Sequence, residues 1–289
     1  MAAMLLVTSP ASAEEIERSL EHEPLTMFQM IARSEIIVHA RVRDGAGRFA
    51  IVDVLSTLKG EAPASQLRID FRDLNLSPHG QEMVVFRSEE EYVLFLQRKV
   101  WRKPKEKKAD IVDLVHGRRG RMPLPAEGWG EMVDTVRQLI PLSQSGPEEQ
   151  VTGLRGLLTT ENAILREAVL DEIRRLRGTL QDDLPVLLRL LGDPSPRIRT
   201  RVLPLIALLF ASGGTAGMPE TPEQKDALGV VLERARTDSD ERVRAESVRA
   251  LGAWSSPKEI LGELKAIAQQ DPSQLVRYEA ERLLFKIQS

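Results

Sequence analysis

The chain has 289 residues, 42% of them hydrophobic and 29% charged, the make-up of an ordinary soluble protein and a comfortable length for two domains. Its formal net charge of −3 gives no global pull toward nucleic acid or anionic lipid, and the absence of cysteine excludes nucleophilic thiol chemistry.

The first residues, Met1-Ala-Ala-Met-Leu-Leu-Val7, are apolar, and Ala11-Ser-Ala13 before Glu14-Glu15 is the small-x-small pattern that signal peptidase accepts. Residues 1–24 therefore read as a leader, and an exported location, periplasmic or extracellular, is expected over a cytoplasmic one. No Lys or Arg precedes the apolar run and it is short, so either the true start lies upstream or this is a plain apolar terminus. Elsewhere no stretch is long and apolar enough to span a bilayer; 202–211 is too short and carries Pro204.

A helix is expected over 25–34, followed by short runs rich in β-branched and aromatic residues at 36–42, 48–55, 67–71, 83–86, 92–97 and 111–115. Asp44-Gly-Ala-Gly47 is a hairpin signal between the first two. Leu67, Ile69 and Phe71 alternate as a half-buried strand does, while 92–96 is almost continuously apolar and predicts a central strand. Five or six short strands after one helix predict a small closed or nearly closed β-barrel over 25–124.

The order Ser34-Glu-Ile-Ile-Val-His-Ala-Arg-Val42, Val52-Asp-Val-Leu-Ser-Thr-Leu-Lys59-Gly60, Glu91-Tyr-Val-Leu-Phe-Leu96 resembles the OB-fold domains related to netrin modules and tissue inhibitors of metalloproteinases. The resemblance implies an OB barrel. In the inhibitors an N-terminal cysteine contacts the protease metal, and with no cysteine here that activity carries over to no residue.

Within this half, Arg98, Lys99, Trp101, Arg102, Lys103, Lys105, Lys107 and Lys108, with Arg118, Arg119 and Arg121 beyond the next strand, are candidates for a cationic rim. Such a rim tracks a nucleic-acid backbone in some OB-folds, or meets an anionic envelope component. The same lysines also serve to keep an edge strand from aggregating, and that reading is preferred. Met122-Pro-Leu-Pro-Ala-Glu-Gly-Trp129-Gly130 is a connector and 131–140 a bridging helix, so 125–146 reads as linker and bridging helix.

The remainder repeats itself. Asp193-Pro-Ser-Pro-Arg-Ile-Arg199, Asp238-Ser-Asp-Glu-Arg-Val-Arg244 and Asp271-Pro-Ser-Gln-Leu-Val-Arg277 align without a gap, with a weaker copy at Thr160-Glu-Asn-Ala-Ile-Leu-Arg166. Arg166 to Arg199 is 33 residues, Arg199 to Arg244 is 45, and Arg244 to Arg277 is 33; the excess is the Gly/Pro/Thr-rich stretch 211–222, an enlarged loop. Asn162, Ser195, Asp240 and Ser273 sit where an N-cap is wanted, Pro196 suits the first helical position, and apolar residues recur at helical spacing after each copy. A second amphipathic stretch precedes each copy, at 151–158, 184–191, 227–235 and 260–268, so each unit is a helix pair.

Asp-x-x-x-x-Val/Ile-Arg at this period resembles the HEAT-repeat family, over 147–289. The resemblance implies an α-solenoid with a ladder between repeats drawn from Asp193, Arg199, Asp238, Arg244, Asp271 and Arg277; Thr160 departs from the pattern, as a worn end repeat would.

Catalytic chemistry finds little foothold. His22, His39, His79 and His116 show no metal-ligand spacing, and neither Gly192-Asp-Pro194 nor Ser212-Gly-Gly214 ends in the lysine a phosphate loop needs. Asp182-Asp183 and Glu148-Glu149 sit where helices begin and suit the dipole. Expected, therefore, is an α+β multidomain chain, an OB-like barrel followed by about four HEAT-like pairs, acting without cofactor or metal as a non-enzymatic protein-binding scaffold. Arg166, Arg174, Arg175, Arg199, Arg201, Arg244 and Arg249 on the second helices suit an acidic partner if exposed, and are solvated ion pairs if paired. The alternatives are a nucleic-acid-binding protein, through the rim or through a concave face like that of HEAT-like DNA glycosylases, and an extracellular inhibitor-like module. For the glycosylase reading the array offers Trp254, Tyr278, Phe210 and Phe285 as aromatics, and spacing puts Phe285 on the apolar side.

Overall fold

The computed structural model describes residues 25–45, 49–70, 86–98, 111–115, 120–125, 129–176, 183–213, 222–253 and 257–288. Helix α1 (Met27–Arg33) leads into a sheet of β1 (Ile36–Asp44), β2 (Phe49–Lys59), β3 (Gln66–Asp70), β4 (Glu91–Arg98), β5 (Ile111–Leu114) and β6 (Arg121–Pro123). Helices follow: α2 (Trp129–Gln144), α3 (Pro147–Leu157), α4 (Ala163–Leu176), α5 (Leu184–Leu190), α6 (Pro196–Gly213), α7 (Pro222–Thr237), α8 (Glu241–Leu251), α9 (Pro257–Gln270) and α10 (Gln274–Gln288).

The sheet is mostly antiparallel. β1 pairs with β2 and β4, β2 with β3, β3 with β5 in parallel, and β5 with β4, so the path β1–β2–β3–β5–β4 returns to β1. β4 gives one edge to β1 and divides the other, its end near Leu96 to β5 and its start near Tyr92 to β6. Strand alternation separates two apolar sets. Ile36, Val38, Ala40 and Val42 of β1 gather with Val52, Leu67, Ile69, Tyr92, Leu94 and Leu96 in one cluster. Ile37, Val93 and Phe95 point the other way, into a second cluster with α1, α2 and the later helices. β4 is thus apolar on both faces because both are covered, and it occupies the central place its run of apolar residues predicts.

Two short devices fix α1. Thr26 and Gln29 form a capping box, the Gln29 N–H reaching Thr26 Oγ1 at 3.1 Å and the Thr26 N–H reaching Gln29 Oε1 at 3.0 Å. At the other end Ser34 Oγ donates to the Met30 carbonyl and Lys59 Nζ to the Ile31 carbonyl, each at 2.6 Å. Gly60 then turns the chain at φ +68°, where a Cβ would lie 2.3 Å from the Glu35 carbonyl oxygen.

In the helical half each second helix packs on the next, α4 on α6, α6 on α8 and α8 on α10, while the first helices back them. Within the expected linker and bridging helix at 125–146, Trp129–Gln144 form α2. Val133, Val136 and Leu139 of α2 are 0–1% exposed and join α1 and the array in one cluster, each such side chain worth about 1.5–3 kcal/mol. The two halves therefore share apolar packing through α1 and α2. β6, a three-residue strand containing Pro123, was not among the expected strands, and the expected strand at 83–86 and the enlarged loop within 211–222 fall largely outside the described residues.

Candidate functional site

The motif arginines are the most regular feature of the helical half. Arg199 donates from Nε and Nη2 to Asp238 Oδ2 and Oδ1 at 2.8 and 2.7 Å, and Arg244 does the same to Asp271 at 2.8 and 3.0 Å. Arg166 makes a single contact, Nη2 to Asp193 Oδ2 at 2.8 Å. In each motif Nη1 turns back to the carbonyl of its own first residue: Arg166 to Thr160, Arg199 to Asp193, Arg244 to Asp238, Arg277 to Asp271. The aspartates also brace their turns, accepting the N–H of Ser195, Asp240 and Ser273 at 2.8, 3.0 and 2.8 Å.

This geometry explains the two irregular copies. A rung takes its arginine from one repeat and its aspartate from the next, so Arg166 contributes although its own copy begins with Thr160. At the other end, among the described residues no carboxylate pairs with Arg277, whose Nη1 holds the Asp271 and Pro272 carbonyls.

Rung members are buried: Arg166, Arg199 and Arg244 are each 8% exposed. Burial works to raise the carboxyls of Asp238 and Asp271, but the facing guanidinium and the N–H two residues on hold both below the ordinary aspartate range. The hydrogen bond that Arg244 donates to Asp271 in turn raises the guanidinium further.

A second row runs beside the rungs. Arg201 meets Asp171 at 2.8 Å and Glu167 at 3.2 Å, Arg249 meets Glu279 at 2.8 Å and Glu246 at 2.6 Å, and Arg175 meets Glu172. Of the arginines expected to draw an acidic partner, six of the seven are thus engaged within the array; Arg174 has no such ion pair among the described residues. Asp183 at the start of α5 accepts from Arg155 Nε at 2.8 Å, and Glu148 and Glu149 lie in the first turn of α3.

Among the described residues Glu172 of α4 is the least accessible charge, at 0% exposure. Its Oε1 accepts from Arg175 Nε and Nη2 at 2.8 and 2.6 Å, and its Oε2 accepts from Thr26 Oγ1 at 2.6 Å. The α1 cap is thereby tied to the helical array.

On the outer face of β1, His39 Nε2 lies 2.7 Å from Glu91 Oε2, and Arg41 donates to Glu91 Oε1 from Nε and Nη2 at 3.2 and 2.7 Å. The hydrogen bond from Arg41 is the chief cause of a lowered Glu91 carboxyl. The His39 ring sits 5.1 Å from that of Trp129 at the start of α2, a packed strand histidine. His22, His79 and His116 lie outside the described residues, among which no group of three His, Asp or Glu is placed to hold a metal.

Of the candidate rim, Lys99, Trp101, Arg102, Lys103, Lys105, Lys107, Lys108, Arg118 and Arg119 lie outside the described residues. Two of its members can be placed. Arg98 is exposed, 3.9 Å from Glu35, while Arg121, opposite Leu94 in β6, lays its guanidinium over the rings of Phe86 and Tyr92 at 5.3 and 5.7 Å. Phe285 is corrected too: it is 77% exposed and not on the apolar side of α10.

No family model matches this chain, and no curated protein matches it. Among solved structures it is similar to the crystal structure of an engineered protein from a structural genomics consortium, at TM-score 0.40 and 19% identity, over 54% of this chain and 75% of that one. No helix among the described residues is long and apolar enough to cross a membrane.

Thr26 with Glu172 and His39 with Trp129 were not among the candidate sites. For the first, the capping signature Thr26-x-x-Gln29 was present in the sequence, but nothing there points to a carboxylate 146 residues away.

Proposed function

We propose that the chain is a non-enzymatic protein-binding scaffold, a small OB-type barrel set on an α-solenoid of HEAT-like helix pairs, acting outside the cytoplasm. The strand pairing that returns to β1 supports the barrel, and the file of second helices supports the solenoid. The observation that carries the reading is the repeated rung: at Arg166, Arg199 and Arg244 one guanidinium holds its own turn and the next repeat's aspartate. Residues that stand out in the sequence are spent on keeping helices in register, which is the task of a frame that presents surface to a partner.

Photo-crosslinkers at Leu55 and Arg242, both exposed, test this in the native cell. A discrete adduct with one protein supports the scaffold, and adducts carrying nucleic acid overturn it. N-terminal sequencing tests export: cleavage after Ala13 supports it, and a mature chain retaining Met1 removes it.

A further inference from the structure

We propose that α10 is a self-association surface on which two copies of this chain pair helix against helix in an antiparallel, two-fold arrangement. Val276, Ala280 and Leu283 turn into the array, at 0%, 0% and 9% exposure. On the other side, Leu275, Tyr278, Arg282 and Phe285 follow one another at steps of three, four and three residues and form one stripe. Its side chains reach solvent: Leu275 is 39%, Tyr278 59% and Phe285 77% exposed, and the Arg282 side chain 61%.

Comparison with the preceding repeat shows what the stripe is not for. The residue of α8 at the Tyr278 position is Ala245, 1% exposed, because α10 lies over α8. A helix laid on α10 as α10 lies on α8 would meet the Tyr278 ring where only a methyl fits. Nor can the start of a second copy complete the Arg277 rung, since its first motif offers Thr160 in place of aspartate and its Asn162 is held by Glu131 and Thr135 of α2. Head-to-tail growth is thereby disfavoured, and a closed two-fold contact remains.

The stripe fits itself. Its spacing reads the same from either end, so an antiparallel copy sets Leu275 against Phe285 of the second copy and Tyr278 against Arg282 of the second copy. Apolar surface meets apolar surface, and a guanidinium already steadied by Glu279 at 2.9 Å comes to lie over an aromatic ring. One helix face is a small interface, so the dimer is expected at concentrations on the order of micromolar. This goes beyond the scaffold reading and is independent of it; a monomer would leave that reading standing.

Sedimentation equilibrium on the full chain, over about a hundredfold concentration range, tests it. A monomer–dimer equilibrium is expected, abolished in the double variant Tyr278→Glu, Phe285→Glu, which should keep a cooperative thermal melt by circular dichroism close to that of the parent at a dilution where the parent is monomeric. Arg282→Ala should weaken the dimer by about tenfold in Kd, and Leu55→Glu, at an exposed apolar residue of the sheet, should leave it unchanged. A parent chain that stays monomeric, species growing past the dimer, a double variant that still dimerises, or a Leu55→Glu chain that does not, each overturns the proposal.

Discussion

Arg199 grips both carboxylate oxygens of Asp238, at 2.8 and 2.7 Å, while its third nitrogen holds the carbonyl of Asp193 at 2.8 Å. One side chain thus joins the turns of two successive repeats, and it does so out of water: Asp238 is 4% exposed. A bidentate guanidinium–carboxylate pair is directional as well as strong, so it sets the rotation of one repeat on the next.

Removing one partner should therefore cost far more than removing both. Asp238→Ala leaves a buried guanidinium uncompensated, and a loss of about 3–5 kcal/mol is expected. Arg199→Met combined with Asp238→Leu should recover most of it, because the pair's desolvation cost disappears along with its attraction. Urea unfolding of the single and double variants measures both, and a single variant as stable as the parent would deny the rung a structural role.

Acid should loosen the array through the same groups. The folded-state carboxyls of Asp238 and Asp271 lie below their ordinary value despite burial, because Arg199 and Arg244 favour the ionised form. For a depressed carboxyl the stabilisation is complete above the unfolded pKa, about 3.9, and is lost as pH falls through the folded value. Unfolding free energy should decline from about pH 4 downward, and Asp238→Asn should make that decline shallower while lowering the plateau. Denaturant titrations across that range provide the measurement.

Gly60 combines a left-handed backbone with a close approach to the neighbouring stretch of chain. Its φ of +68° belongs to the left-handed region, and an added Cβ would stand 2.3 Å from the Glu35 carbonyl oxygen just ahead of β1. The conformation alone costs about 1–2 kcal/mol for a non-glycine residue, and the collision adds to it. Gly60→Ala should lower the melting temperature clearly, whereas Gly156→Ala, where nothing lies within 4 Å of the added methyl, should not.

The architecture was legible where pattern and burial coincide. Helix pairs followed from recurring Asp and Arg, and β4 declared its central place by apolar residues on both faces, since a helix covers one and the opposite strands the other. Legibility failed where several neighbours are equally apolar: in Leu283-Leu284-Phe285 the periodicity cannot choose, and it is Leu283 that turns inward. Arg121 read as one more cation in a basic stretch, because sequence does not show that Phe86 and Tyr92 lie beneath it. The bridging helix within 125–146 was legible, but what it packs on was not, for a related reason. Buried Val133, Val136 and Leu139 identify an amphipathic helix, but not the α1 surface that covers them.

The join between the halves should be measurable at Thr26 and Glu172. Thr26 Oγ1 both caps α1 and donates at 2.6 Å to a carboxylate with no exposure, whose other oxygen is held by Arg175. Thr26→Val removes the cap and the donor together, whereas Thr26→Ser keeps both, so the serine variant should retain nearly full stability and the valine variant lose about 1–3 kcal/mol. Glu172→Met alone should cost about as much, and a double-mutant cycle with Thr26→Val should return a coupling of about 1 kcal/mol or more. Hydrogen exchange locates the effect: amides of α1 should lose protection in Thr26→Val, while those of α8 and α10 keep theirs. Equal loss along the whole array would mean that the contact supports global stability and does not specifically fasten α1.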